Sequence, residues 1–354
     1  MFNLNNNNKG RKMNTLKKIA FSILASAFVF ANTNAGELSV TGSAKATYTI
    51  VSVDGSSNTV GHNAGKGIGI ANEFTLGASG ELDNGWTWSM NQDIDGATVQ
   101  DDKSIVIGMG GLGSFKINIS DGGIQKNFAS SQSVYGTPVD NGQVHGYTDS
   151  ADTGAYNSFR YTTPSGLPLD ISASVQYAPY TGAADNNSSN AAGALDASGY
   201  DNATAYAVSL SPIEGLEIGA SYFEPETAAV AQKGEGGAYY ATYSMGALSV
   251  GYGKSFNAEN LDTNTTNEAD FYENTMMSVA FNVNDALSVS YEDVESVKNM
   301  ETTTSNVTMD VSSVQASYTV AGMTLSVSNE QADNTGYVDA NDLQETNFAM
   351  SIAF

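Results

Sequence analysis

The 354-residue sequence has no cysteine. That excludes disulfides, thiolate nucleophiles and Cys-ligated metals, so neither oxidative folding nor zinc is needed. Basic residues are scarce, with 14 Lys and Arg against 38 Asp and Glu, and a formal net charge of −24. A surface this acidic repels phosphate backbones and excludes nucleic acid as a partner. There are two histidines, His62 and His145, with no second imidazole beside either, so no His-based metal site is expected. Long hydrophobic runs are also missing. The apolar stretch Ile19 to Phe30 is shorter than the ~20 residues a transmembrane helix needs, and no later segment does better. A membrane-spanning reading must therefore use strands.

The apolar stretch has its own explanation. It follows Lys17 and Lys18 and precedes Thr33-Asn34-Ala35, which is the order of charged, apolar and small-residue regions in a secretory signal peptide. Cleavage is expected after Ala35, with Met13 as the initiator and residues 1–12 as an upstream extension. Residues 36–354 then form the exported domain, with 9 basic residues against 38 acids.

What the exported part contains is one pattern repeated. Apolar residues occupy every second position over about ten residues, a tight turn follows, then another such segment, then a long polar connection. Alternation of this kind is the signal of strands with one apolar face. Trp86, Trp88 and Met90 follow the turn Asp83-Asn84-Gly85; Phe159 and Tyr161 precede Thr163-Pro164-Ser165-Gly166; Leu287, Val289 and Tyr291 follow Asn284-Asp285. Seven such hairpins plus a first and a last strand make 16, an even number, as single-chain bacterial barrels require. The expected fold is all-β: a transmembrane antiparallel barrel with short periplasmic turns and long extracellular loops at about 52–66, 95–103, 121–157, 179–202, 223–237, 254–272, 292–306 and 329–345. Aromatics gather at both ends of the apolar faces, as in interfacial girdles.

The last strand, Asn347 to Phe354, carries Phe348, Met350, Ile352 and Phe354 on one face and small or polar residues on the other. Pairing it with the first strand removes both sheet edges. An alternating strand ending on Phe resembles the terminal assembly signal of bacterial outer-membrane barrels, which implies the barrel-assembly machinery as a partner and Phe354 as the signal residue.

Two stretches carry a wider resemblance. Phe74-Thr75-Leu76-Gly77-Ala78-Ser79-Gly80-Glu81-Leu82-Asp83-Asn84-Gly85 and Tyr156-Asn157-Ser158-Phe159-Arg160-Tyr161-Thr162-Thr163-Pro164 resemble the second and fourth hairpin regions of Gram-negative general porins. The likeness implies a 16-stranded homotrimeric diffusion channel in the outer membrane, in contact with lipid and lipopolysaccharide. Its third loop, here 121–157, would fold inward and narrow the pore. One departure is Ile119-Ser120-Asp121 at the end of strand 5, where such porins commonly carry an Arg.

Other motifs have plainer readings. Gly108-Met109-Gly110-Gly111-Leu112-Gly113 matches a dinucleotide fingerprint, but that motif needs a helix next and the following Phe115-Lys116-Ile117 alternates, so a hairpin turn is expected and no cofactor. Gly61 to Gly67 lacks the spacing and the hydroxyl of a phosphate loop. An enzymatic barrel would need a nucleophilic Ser beside His145, and no serine is marked for the role; no enzyme activity is expected.

Charge places the candidate site. Most acids fall in the long loops, as do six of the nine basic residues after Ala35. The other three, Lys45, Lys116 and Arg160, alternate with apolar neighbours and so face the lumen, because the lipid face charges about 2–4 kcal/mol for Lys or Arg at midplane. Glu73, Asp93 and Glu217 share the lumenal parity. The porin resemblance sets Lys45, Lys116 and Arg160 across from loop 3, which supplies Asp121, Asp140, Asp149 and Asp152. Acids facing bases across a wet constriction would orient polar solutes and reject apolar ones. The function expected is passive diffusion of small hydrophilic solutes and ions; the alternative is a plugged structural or surface-recognition barrel.

Overall fold

Alternating strands with apolar outer faces bury nothing against one another across a sandwich, so closing into a ring is their one way to lose every edge. The computed structural model describes residues 36–54, 64–95, 102–119, 122–137, 147–148, 153, 157–179, 202–226, 232–259, 261, 269–300 and 305–354. Its strands are β1 (Glu37–Asp54), β2 (Gly65–Glu81), β3 (Thr87–Asp95), β4 (Lys103–Gly108), β5 (Ser114–Ile119), β6 (Ser158–Thr162), β7 (Ser172–Ala178) and β8 (Asn202–Leu210), followed by β9 (Leu216–Glu226), β10 (Glu235–Met245), β11 (Leu248–Ala258), β12 (Ala269–Asn282), β13 (Leu287–Met300), β14 (Val307–Val320), β15 (Met323–Asp333) and β16 (Asp342–Ala353). Each strand pairs antiparallel with its neighbours in sequence, and β1 pairs with β16 to close a 16-stranded barrel. Residues 1–35, where a signal peptide is expected, lie outside the described residues.

The burial pattern is that of a soluble protein turned inside out. Outward-facing Val175, Tyr206, Val250, Val279, Phe348 and Met350 remain exposed, while inward-facing Ser104, Asn118, Ser290, Gln315 and Asn347 are buried. Large apolar side chains left uncovered all round a closed surface require an apolar medium outside it. Tyr48, Tyr177, Tyr206, Tyr222, Tyr252 and Tyr291 stand outward toward the long-loop ends of the apolar faces, and Phe115, Tyr161, Tyr243 and Tyr318 near the turns. The glycine-rich Gly108–Gly113 segment is a hairpin turn: β4 ends at Gly108, a single 3-10 turn covers Gly110–Leu112, and β5 starts at Ser114.

Several strands run further outward than alternation indicated. Lys66, Lys103, Lys254 and Lys298, expected in loops, belong to β2, β4, β11 and β13; so do Glu292, Glu330 and Glu345 to β13, β15 and β16. Beyond the lipid the outer face of a strand also becomes polar, so the alternation fades while the backbone ladder continues. Lys254 shows this, facing outward in a 2.6 Å ion pair with Glu273 of β12. Basic residues in strands are therefore not confined to β1, β5 and β6.

The seam is closed by the chain's last residue. Phe354 donates its amide to the Gly42 carbonyl at 3.0 Å and accepts from the Gly42 amide at 2.9 Å. Its ring lies 5.6 Å from that of Phe74, over Gly42, where a Cβ would meet ring atoms at 3.0 and 3.1 Å and the Glu73 carbonyl oxygen at 2.5 Å. Phe354→Ala forfeits the aromatic pair, worth about 1 kcal/mol beyond its area, and is expected to lower the temperature at which the folded band is lost in semi-native electrophoresis. An unchanged transition would mean that the ring adds nothing to the seam. Outer-face parity has its own check on β3: Met90→Arg faces lipid and costs about 2–4 kcal/mol near midplane, whereas Asn91→Arg faces the exposed part of the lumen. Folding yield into vesicles should fall for the first and hold for the second.

Candidate functional site

The lumen is lined unevenly. Inward side chains on β2 and β3 such as Glu73, Ser79 and Asn91 are exposed, whereas inward Ser296, Ser313, Ser328, Glu330 and Glu345 on β13–β16 are at most 1 % exposed. What covers the second group is largely loop 3. Its described part, 122–137, leaves β5 and turns along the inner wall. At the root, Arg160 of β6 donates from Nη2 to the carbonyl oxygens of Gly122 and Gly123 at 2.6 and 3.0 Å, and from Nε to Gln176 of β7 at 2.7 Å. Ile124 then packs against Ala178, Ala203, Ala205, Ala207 and Phe223, and the Lys126 amide donates to Ser221 of β9 at 3.1 Å.

Past the 3-10 turn Asn127–Ser130, inward-facing hydroxyls and amides hold the loop strand by strand. Ser278 of β12 donates to the Ser130 carbonyl at 2.9 Å and accepts from the Gln132 amide at 3.0 Å. Ser131 donates to Glu292 of β13 at 2.5 Å, and the Val134 amide to Ser290 at 3.0 Å. Gln315 of β14 accepts from the Tyr135 amide at 3.0 Å and donates to the Gly136 carbonyl at 2.8 Å. Tyr135 reaches the far side: burial beside Glu330 and Glu345 pushes its phenol up to about 12, and the Lys45 ammonium of β1 stands 5.5 Å from its ring centre.

Strand register orders the covered wall into layers. Glu292, Ser313, Glu330, Glu345 and Val51 are successive cross-strand partners from β13 round to β1. One step toward the long loops the row is wholly apolar: Val294, Val311, Ala332, Leu343 and Val53. Tyr147, Met276 and Met309 complete that apolar cluster, and Phe128 and Tyr337 pack on it. Tyr337 also accepts from the Thr148 amide at 2.9 Å and shares a 2.6 Å hydrogen bond with Ser296. A packed core thus sits inside the barrel on one side, anchoring loop 3 as a core anchors a helix.

The basic residues singled out from sequence all lie on inward positions, but Arg160 grips the root of loop 3 and Lys45 stands over its Tyr135, so neither faces the described loop across open space. Lys116 is the cross-strand partner of Arg160. Glu217 accepts a hydrogen bond from the Tyr240 hydroxyl on the neighbouring strand, Glu73 is exposed, and Asp93 is partly buried on β3. Asp121, Asp140, Asp149 and Asp152 lie outside the described residues, as do His62 and His145. The stretch 122–137 carries no acid and one base, Lys126. Among the described residues no group of three or more acidic or imidazole side chains is arranged to hold a metal. The buried row Glu292, Glu330 and Glu345 was missed because each acid sits where both faces of its strand are polar; Glu330 and Glu345 being register partners is visible once hairpin registers are drawn.

No protein-family model matches the chain, and no curated protein does either. Solved structures match over nearly their whole length. The outer-membrane channel DcaP of Acinetobacter baumannii aligns with a TM-score of 0.64 at 10 % identity, over 92 % of this chain and 99 % of that one. OmpF of Salmonella typhi, solved with daunomycin, aligns at 0.59 and 12 % identity over 90 % and 98 %. A mutant of Rh. blastica porin aligns at 0.54 and 14 % over 90 % and 100 %. At these identities what is shared is the fold.

The hydrogen bonds through Gln315 give the loop its test. Gln315→Leu keeps the size and removes the bonds to Ser133, Tyr135 and Gly136, leaving the Tyr135 amide only its 3.3 Å bond to the Ser133 hydroxyl, at a cost of about 1–3 kcal/mol. Amide exchange at Tyr135 should speed by roughly 10- to 100-fold, since each ~1.4 kcal/mol is tenfold. Unchanged exchange would mean the loop is held elsewhere.

Proposed function

We propose that this protein is an outer-membrane porin passing small hydrophilic solutes and ions by diffusion, without cofactor or chemistry, and assembling as a homotrimer. The observation that carries the reading is the unequal lumen: loop 3 lies flat on β9–β14 by hydrogen bonds and an apolar core, while inward Glu73 and Ser79 of β2 and Asn91 of β3 keep their exposure. A water path bounded by those strands on one side and loop 3 on the other follows. The barrel fold shared with DcaP, OmpF and a porin supports the same role and an outer-membrane location. The apolar cluster inside the lumen favours the other reading, a plugged structural barrel, which planar-bilayer recording separates. Discrete ohmic steps support the porin; a silent membrane supports the plug.

Selectivity is set by two opposed charges. Most of the acids fall in the long loops, and exposed charge acts over a Debye length, about 8 Å at physiological salt. Lys45, Lys116 and Arg160 lie deeper, where screening is weaker. Cation preference is expected at low salt and should weaken as salt rises. Neutralising Lys45 and Lys116, which leaves the Arg160 grip on loop 3 intact, should push selectivity further toward cations. Reversal potentials in a salt gradient measure both; anion preference at low salt would contradict the rim argument, and no response to the double change would remove these lysines from the pore.

A further inference from the structure

On β11 two successive inward positions, Gly251 and Gly253, have no side chain, although each is flanked by larger inward partners: Thr242 and Ser278 beside Gly251, Tyr240 and Met276 beside Gly253. The gap is filled by loop 3. A Cβ on Gly251 would fall 1.7 Å from the Ser130 carbonyl oxygen and 2.7 Å from the Ser278 hydroxyl. On Gly253 it would meet the Ser130 hydroxyl at 2.6 Å, the Ser130 Cβ at 2.9 Å and the Asn127 carbonyl at 3.4 Å. The 3-10 turn Asn127–Ser130 is thus sunk into a groove whose floor is backbone. We propose that Gly251 and Gly253 set the width of the channel by setting how deep loop 3 sits in the wall; they are positioning residues that act through the loop and touch no solute.

This role of the two glycines rests on the channel reading above and adds a direction to it. Loop 3 is held on both sides of the turn, by Arg160 and Ser221 before it and by Glu292, Ser290 and Gln315 after it. It therefore cannot relieve a clash by sliding along the wall. The obstructing atom at Gly251 is backbone, so no rotamer change relieves it either. An added methyl leaves one way out: the turn lifts off β11 into the lumen, by about 2 Å before the contact reaches an ordinary van der Waals separation. The lift breaks the hydrogen bonds of Ser278 to Ser130 and Gln132 and narrows the water path opposite. At Gly253 the nearest obstruction is the Ser130 side chain, which can be removed.

Single-channel conductance in planar bilayers tests this, on protein shown to be assembled by its heat-modifiable migration. Gly251→Ala should lower conductance most and Gly253→Ala less, and adding Ser130→Gly to Gly253→Ala should restore it toward wild type. Gly67→Ala, whose Cβ would meet nothing within 4 Å, should conduct as wild type. Should Gly251→Ala fail to assemble, the Gly253→Ala pair decides. A higher conductance in either variant, wild-type conductance in both, or a Gly253→Ala loss that Ser130→Gly does not relieve overturns the proposal. A silent wild-type protein brings down the channel reading and this inference with it, whereas a conducting wild type with unaltered variants sinks the inference alone.

Discussion

Everything in this molecule depends on the ladder between β1 and β16. In hydrocarbon a backbone N–H or C=O has no water to turn to, and each left unpaired costs several kcal/mol. A 16-stranded sheet with one open seam would present a full strand length of such groups on each side. Twelve register pairs, from Ser43 with Ala353 to Asp54 with Asp342, abolish both edges. Only once the ring is closed does the parity of every other strand acquire meaning, with one set of side chains committed to lipid and the other to the interior. Phe354 marks the end of that seam, clasped to Gly42 by two backbone hydrogen bonds.

That parity was readable from the sequence because lipid and water are the two solvents on either side of each strand. Phe159 and Tyr161 against Arg160, or Val279 and Phe281 against Ser278 and Ala280, differ so sharply in polarity that direction follows from chemistry alone. The number of strands and the placing of the short turns followed with it. Legibility stopped where the outer solvent ceases to be lipid. Glu292 beside Asp293, or Glu345 beside Gln344, offers no contrast between faces, and those residues read as loop although they are strand. The same blind spot hid the buried acidic row and the continuation of β11 through Lys254.

Loop 3 was less legible still, for a different reason. Nothing local says that Asn127–Ser130 will lie on β11, because what makes room for it is two missing side chains more than a hundred residues away, at Gly251 and Gly253. Nor does local sequence say that Arg160, which looks like a lumenal charge, spends its guanidinium on the carbonyls of Gly122 and Gly123. Charge in the lumen thus divides into groups that hold the loop and groups left to meet solute, and only contacts distinguish them. The outcome is a loop built into the wall by polar ties and an apolar cluster, with exposed inward side chains such as Glu73 and Asn91 left on β2 and β3.

The central claim is that this arrangement leaves an open, water-filled path and that loop 3 limits its size. Osmotic swelling of proteoliposomes in uncharged sugars of increasing size measures that most directly, since it reports bulk passage without depending on charge. Swelling that is fast for the smallest sugars and falls steadily with size, reaching zero at a definite limit, is the predicted result. No swelling with any sugar, from protein that is fully folded in the vesicles, would contradict the account and make the interior a plug.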